Sequence, residues 1–274
     1  MRSWLGCGRP RGLDLITLSA VLEERIDNDS IPAKLYRPTD AQGILLLGHG
    51  GAKSKDSERF VGLSRLYAEG TGLAVVCIDA VDHGERISLG AGAGLPVEWH
   101  SRSVANMVSD WDKTARALSW IGPEVAYVGF SMGAIFGVPT VAALASIKAA
   151  VFVVGGVPAG GGIEDPPLRP LLLKAASKLG RSQVLMVNTT QDEIFPVEGV
   201  HELFDAIPGS NKRLMFWKAH MTIGRRRRST TRSPSSTPTS DDGLLRPAWA
   251  DPSQLGCASG ADGGGCPKVP TCIR

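Results

Sequence analysis

Residues 124–137 read EVAYVGFSMGAIFG, an apolar run that leads through the pentapeptide Gly129-Phe-Ser-Met-Gly133 into small and apolar residues. The run predicts a strand over Glu124–Phe130, and the residues from Met132 onward predict a helix. A serine flanked by glycines at a strand-to-helix turn is typical of a nucleophile held on a sharp bend, because glycine lets the two backbones approach closely. The stretch therefore predicts Ser131 as a nucleophile. The N–H of Met132, at the helix N-terminus, is a candidate donor to an oxyanion.

Short apolar runs alternate with longer amphipathic stretches on both sides of this segment, which is typical of parallel strands joined by crossover helices. The pattern predicts an α/β fold, a doubly wound and mostly parallel sheet with helices on both faces. We expect the strand Ile31–Pro38 at an edge, because Pro32 and Pro38 limit its pairing. The predicted strands are 31–38, 43–48, 73–78, 124–130, 149–154, 183–187 and 212–217, and the predicted helices are 57–69, 97–120, 132–145 and 197–206.

A serine hydroxyl needs a base to activate it, and the base needs a carboxylate to orient it. Asp192 follows the predicted strand 183–187 and is the candidate acid, with Glu193 beside it as a rival. His220 follows the last predicted strand and is the candidate base. The remaining histidines are weaker candidates, because three precede the nucleophile and one lies in a predicted surface helix: His49, His83, His100 and His201. The order Ser131, Asp192, His220 places each group at the carboxyl end of a predicted strand.

The segment His49-Gly-Gly-Ala52 directly follows the predicted strand 43–48. An oxyanion hole needs two backbone N–H groups, one after the nucleophile and one from a loop such as this. We expect Gly51 to supply the second donor, with Ala52 as the alternative. His49 is expected to hydrogen-bond the loop rather than to carry protons.

Charge and composition separate a folded body from a tail. The chain has 274 residues and a formal charge of +3. Residues 225–274 hold seven Arg and one Lys against four Asp, a balance of +4, so the body carries no basic excess and no nucleic-acid footprint is expected. We expect an N-terminal extension over 1–13, a catalytic domain over 14–224 and a disordered basic Ser/Pro/Gly-rich tail over 225–274. The tail is interpreted as a solvated segment, a nucleic-acid or membrane arm, or the product of a frame change near Ile223.

Several classes of protein and site are not expected from the sequence. No apolar run is long enough for a membrane span, and the charges of Asp14 and Glu23 argue against a signal peptide. Five cysteines show no C-x-x-C pair, and Cys77 reads as a reduced core residue of a cytoplasmic protein. The cluster Asp82-His-Gly-Glu85 lacks the spacing of a zinc site, so we expect no metal.

Taken together, the motifs resemble the α/β-hydrolase family, especially its small esterase branch near dienelactone hydrolases and prolyl-oligopeptidase-like domains. The resemblance spans residues 31–220, about 70% of the chain. It implies Ser–Asp–His acyl hydrolysis without metal or organic cofactor and does not fix the substrate. We expect a carboxylic-ester hydrolase for small acyl substrates, and a peptidase or acyl-aminoacyl hydrolase of the same mechanism is the alternative. The matching segments are 47–51, 79–86, 129–133 and 190–196, together with His220.

Two departures from the family pattern are visible. The helix expected after His220 is replaced by Met221-Thr-Ile-Gly-Arg-Arg-Arg-Arg228, which predicts uncovered apolar surface on the outer strands and leaves a catalytically impaired scaffold as a further alternative. The segment 154–183 is too short for a cap domain and predicts little or no lid. Trp111 is expected in the core. Trp99 and His100 are candidates for lining the substrate pocket.

Overall fold

Strands and helices alternate along the described part of the chain. The computed structural model describes residues 20–28, 30–87, 97–159, 163 and 165–217, without the side chains of residues 27 and 28. The expected extension 1–13, the candidate base His220 and the expected tail 225–274 therefore lie outside the described residues. The strands are β1 Val21–Asn28, β2 Ile31–Pro38, β3 Gly43–Gly48, β4 Ala74–Ile78, β5 Glu124–Phe130, β6 Ile147–Val153, β7 Gln183–Thr189 and β8 Lys212–Trp217. The helices are α1 Glu58–Thr71, α2 Trp99–Ala117, α3 Met132–Ala143, α4 Leu168–Ala176 and α5 Val197–Ala206.

The described strands form one eight-stranded sheet in the order β1-β2-β4-β3-β5-β6-β7-β8. β2 pairs antiparallel with β1 and β4, and every other pair is parallel. All residues of β3 and β4 are buried, as expected for strands covered on both faces. The expected mostly parallel sheet is confirmed. Its winding reverses between β3 and β5, the position at which open α/β sheets place their ligand crevice.

The expectation that Ile31–Pro38 lies at an edge is wrong, because β2 lies between β1 and β4. Its ladder with β4 covers only Ala33–Tyr36, so Pro32 and Pro38 lie outside it and remove no hydrogen bond there. The edge is formed by β1, which the sequence pattern did not predict. Its charged residues are paired across the fold, since Glu23 binds Arg65 and Glu24 binds Arg37.

The helices are distributed unevenly over the two faces of the sheet. The helices α2 to α5 pack in a row on one face, with α3 in contact with β3, β5 and β6. On the opposite face α1 packs against β2 and β4, where Phe60 and Leu63 join the buried side chains of Leu45 and Leu47. The helix α4, which sequence periodicity did not predict, fills the row between α3 and α5.

The half of the sheet from β6 to β8 has no helical cover on the α1 face within the described residues. Val151, Leu185 and Val187 are only half-buried there, and 58% of Met215 is exposed. Partly exposed apolar side chains on these outer strands agree with the expectation drawn from the residues that follow His220. None of the described helices is long and apolar enough to cross a lipid bilayer.

Candidate active site

Ser131 occupies the tight connection between β5 and α3. Its backbone angles are φ 51° and ψ −111°, in the positive-φ region that side-chain-bearing residues rarely adopt. Hydrogen bonds over-determine this conformation, because the Ser131 N–H donates to Val153 O at 2.9 Å and the Ser131 carbonyl accepts from Ala134 N–H at 2.8 Å. A strained residue held this firmly at the end of a central strand has the backbone geometry expected of the candidate nucleophile.

Glycine is required at both flanking positions of the pentapeptide. A Cβ on Gly129 would lie 2.3 Å from Gly133 O, and a Cβ on Gly133 would lie 2.3 Å from Gly48 O. The backbones of β3, β5 and α3 therefore touch at this point, and any side chain would push them apart. The two glycines of the pentapeptide, from which the turn was predicted, are the residues at which the three backbones meet.

Tyr127 supports the turn from within the core and was not singled out from sequence. Its hydroxyl donates to the Gly133 carbonyl at 2.7 Å, and its ring lies edge-on to Trp111 with 5.6 Å between centroids. Burial raises the pKa of Tyr127 above its usual value, so the hydroxyl remains a donor. Trp111 is buried, as expected. The sequence signal for Tyr127 is slight, a single hydroxyl inside an otherwise apolar strand.

The loop after β3 approaches Ser131 from the neighbouring strand. A Cβ on Gly50 would lie 3.8 Å from the Ser131 Cβ. The N–H of Ala80 donates to His49 Nε2 at 2.9 Å, so the neutral ring carries its proton on Nδ1 and donates it to Gly50 O at 2.8 Å. The expectation that His49 hydrogen-bonds the loop is confirmed.

The bond from His49 also orients the candidate oxyanion donor. The Gly50 carbonyl and the Gly51 N–H belong to one trans peptide and point in opposite directions. Because His49 holds the carbonyl, the Gly51 N–H points away from the imidazole. In α3 the first intrahelical bond is donated by Ala134, so the N–H of Met132 lies before the hydrogen-bonded part of the helix, where donors are free for an anion.

Acid is expected to destabilise the protein through His49. Burial lowers the pKa of His49 from 6.5 to about 4. The unfolded chain binds the proton as the pH falls through about 6.5, whereas the folded chain resists it until about pH 4. Stability is therefore complete above that range and is lost across it, by about 2 to 3 kcal/mol between about pH 7.5 and about pH 4.5.

Urea unfolding of wild type and His49→Gln at these two pH values measures this contribution. The variant is expected to be less stable at the higher pH and to lose about 2 to 3 kcal/mol less than wild type on acidification. An equal acid loss in both proteins would show that His49 does not resist protonation.

Asp192 lies three residues beyond β7. Its Oδ1 accepts the N–H groups of Ile194 and Phe195, each at 2.8 Å, which fixes the carboxylate in a turn. Among the described residues Oδ2 has no hydrogen-bond partner. Asp192 is half-buried, whereas its rival Glu193 is exposed.

The register of β7 and β8 ends on a matched pair, from which the candidate acid and base are equally distant along the chain. Thr189 pairs with Trp217, so Asp192 and His220 each follow their strand three residues after a matched pair. β7 and β8 are adjacent and parallel, and both segments leave the same edge of the sheet. His220 itself lies outside the described residues, and its contacts stay a prediction.

Solved structures identify the fold. No protein-family model and no curated protein matches the sequence. A PEG-bound, cold-adapted esterase from an Arctic intertidal metagenomic library is 23% identical, with a TM-score of 0.59 over 80% of this chain and 90% of that chain. A Thermus thermophilus protein is 20% identical, with a TM-score of 0.61 over 73% and 90%. A candidate dienelactone hydrolase from Klebsiella pneumoniae is 18% identical, with a TM-score of 0.55 over 74% and 86%. The chain has the α/β-hydrolase fold.

Aromatic side chains pack beside α3 in this α/β-hydrolase fold. Trp99 is buried, its Nε1 donates to Asp82 Oδ2 at 2.8 Å, and its ring lies 5.6 Å from that of Phe136. His100 is half-buried and lies 6.3 Å from Phe136. These contacts place Trp99 and His100 over the second turn of α3, and their contact with substrate stays a prediction.

Three carboxylates converge near the loop after β3, in the described part of this α/β-hydrolase fold. Oxygen atoms of Asp56, Asp79 and Glu85 lie within 4.8 Å of one another. The ammonium of Lys55 contacts all three carboxylates and occupies the position that a metal ion would take between them. Glu85 belongs to the segment considered for a metal from sequence, and here it binds a lysine. Sequence reasoning did not single out Lys55, since no local pattern marks a loop lysine that becomes buried.

Proposed function

We propose that this chain is a cofactor-independent serine hydrolase that cleaves small carboxylic esters through an acyl-enzyme. The observation that carries the proposal is the conformation of Ser131, a positive-φ serine wedged between two glycines at the N-terminus of α3. Such a turn stores strain that only the surrounding contacts maintain, and it projects a hydroxyl toward the crevice. The esterases named among the solved structures support the choice of an ester substrate.

In the proposed reaction Ser131 Oγ attacks the ester carbonyl while His220 takes the hydroxyl proton. The tetrahedral oxyanion accepts the N–H groups of Gly51 and Met132, and the proton then passes from His220 to the leaving alcohol. Water, activated by the same imidazole, attacks the acyl-enzyme and releases the carboxylic acid. Asp192 holds the imidazole in the tautomer that this exchange requires.

Fluorophosphonate labelling of the purified chain tests the proposal. A covalent adduct is expected on the peptide that contains Ser131, together with hydrolysis of p-nitrophenyl acetate. Failure of a folded chain to label would contradict an assembled hydrolase site. That outcome favours the non-catalytic scaffold, for which the uncovered half of the sheet beside β8 is the supporting observation.

Substitution at Asp192 discriminates the acid from its neighbour. Asp192→Asn is expected to lower kcat by about 10⁴-fold, because an amide stabilises the wrong imidazole tautomer. The fold should persist, since the asparagine Oδ1 still accepts the N–H groups of Ile194 and Phe195. Glu193→Gln is the matched control and should leave kcat within about twofold of wild type, because Glu193 is exposed. Steady-state kinetics of both variants measure the effect, and the reverse ranking would assign the acid to Glu193.

A further inference from the structure

The loop between β3 and α1 is fastened to the turn after β4 at two points. At its start, His49 accepts the N–H of Ala80 at 2.9 Å. At its end, the N–H of Lys55 donates to Asp79 Oδ1 at 2.8 Å. Asp79 and Ala80 are consecutive, so one short turn holds both ends of the loop that carries Gly51.

The second fastening is strengthened by the side chain of Lys55. Its Nζ donates to Asp79 Oδ2 at 3.2 Å and to Asp56 at 2.5 Å, and it also binds Glu85. The side chains of Lys55 and Asp79 are fully buried. Burial alone would lower the pKa of Lys55, but the hydrogen bonds and charges of these carboxylates outweigh it and raise the pKa. The lysine therefore stays charged and bound.

The turn after β4 is shaped around the same carboxylate. Asp79 Oδ2 also accepts the N–H of Glu85 at 3.0 Å. Gly84 has φ +55°, and a Cβ there would lie 2.3 Å from the Asp79 carboxylate. The backbone thus leaves space for the Asp79 side chain alone, and Lys55 is the group that binds it from the loop.

From this arrangement we infer that Lys55 is a positioning residue for the oxyanion hole, which it serves by locking the end of the loop that carries the Gly51 N–H. The inference rests on the proposed function. Lys55 does not contact the reacting atoms, and it acts through the backbone from Gly51 to Ser54. Without the ammonium the loop keeps its attachment at His49 and the bond from the Lys55 N–H to Asp79 Oδ1, but the buried Asp79 carboxylate loses the charge that pairs with it. The end of the loop is then held less firmly, and the Gly51 N–H loses a fixed direction. An oxyanion donor without a fixed orientation stabilises the transition state poorly, whereas binding of the ester in the ground state persists.

The test compares Lys55→Gln with Lys55→Arg and Lys34→Gln. Lys34 binds the same Asp56 carboxylate at 2.8 Å from β2, but it does not hold Asp79, so it is a matched control. Lys55→Gln is expected to lower kcat for p-nitrophenyl acetate by about 10- to 100-fold with KM within about threefold of wild type. Lys55→Arg, which keeps the charge, should recover most of this loss. Lys34→Gln should stay within about twofold of wild type.

Melting curves and amide hydrogen exchange accompany the kinetics. In Lys55→Gln, exchange over residues 50–54 should be faster than in Lys34→Gln. An equal loss of kcat in Lys55→Gln and Lys34→Gln, or a rise in KM with unchanged kcat, would overturn the inference. If Lys55→Gln does not fold, Glu85→Gln replaces it in the test. Glu85 is partly exposed, and its substitution removes one partner of the Lys55 ammonium. An unchanged kcat in folded Glu85→Gln would then overturn it.

Failure of the proposed function gives a separate result. If wild type neither labels nor hydrolyses esters, the proposed function has failed. The exchange comparison then decides the remaining claim alone. Unchanged exchange over 50–54 in Lys55→Gln would show that Lys55 does not lock the loop.

Discussion

Replacing Ser131 with alanine is expected to lower kcat/KM for ester hydrolysis by about 10⁴-fold or more and to abolish fluorophosphonate labelling. The acyl-enzyme cannot form without the hydroxyl, and residual catalysis by the oxyanion hole and by substrate binding is all that remains. The fold should be unaffected, because position 131 is held by backbone bonds from Ser131 N–H to Val153 and from Ala134 to Ser131. Steady-state kinetics and melting curves of the variant measure the two effects.

Ser182→Ala is the control of opposite character. The Ser182 hydroxyl is buried and donates to Ile147 O at 2.9 Å. Its loss should cost about 1 kcal/mol of stability and leave kcat unchanged, since Ser182 directly precedes β7, whereas Ser131 follows the opposite, carboxyl end of the parallel strand β5. Ser131→Ala that retains activity would instead show that another group is the nucleophile.

Gly133→Ala is expected to destabilise the protein by about 3 kcal/mol or more, lowering the melting temperature by about 10 °C. The new Cβ would lie 2.3 Å from Gly48 O and 2.5 Å from Gly48 C, so β3 or α3 must shift. The displacement also moves Gly51 relative to Ser131, and kcat should fall with the stability. Thermal melting and labelling rates of the purified variant measure both.

Gly62→Ala provides the same chemical change where there is space. Gly62 lies inside α1, is exposed, and a Cβ there meets nothing within 4 Å. Alanine should stabilise the helix by about 0.5 to 1 kcal/mol, because it loses less backbone entropy on folding. If both variants were equally stable, the close contact of the three backbones at Gly133 would be disproved.

Sequence pattern predicted most of the sheet because buried parallel strands appear as continuous apolar runs, as in Gly43–Gly48. The sequence pattern did not predict β1, because three consecutive charged residues interrupt its apolar alternation. Glu23, Glu24 and Arg25 acquire their ion-pair partners only when the chain folds. The pattern failed for α4 because nine residues are too few to establish a helical period. The prediction that β2 lies at an edge was wrong. Whether a proline interrupts a ladder depends on the register of the strand with its neighbour, which the sequence does not show.

For the site, the pentapeptide placed Ser131 because a sharp turn requires local glycines. Tyr127, in the same strand, supports this turn through a bond to Gly133. The neighbouring loop that carries Gly51 is held from another strand end, since His49 accepts the N–H of Ala80. Lys55 is the extreme case. Its burial depends on Asp79, a residue on another strand end, and single-sequence reasoning has no access to such pairings.

Because β8 lies at the edge of the described sheet, we expect heat inactivation at a lower temperature than global unfolding. β8 has β7 as its sole partner in the described sheet, whereas β5 has neighbours on both sides and carries Ser131. Edge segments detach at lower free energy than central ones. Warming should therefore release the strand that leads to His220 before the turn that carries Ser131 melts. On the proposed function, a heat-inactivated sample would keep most of its secondary structure and recover activity on cooling, because the candidate base is displaced before the candidate nucleophile.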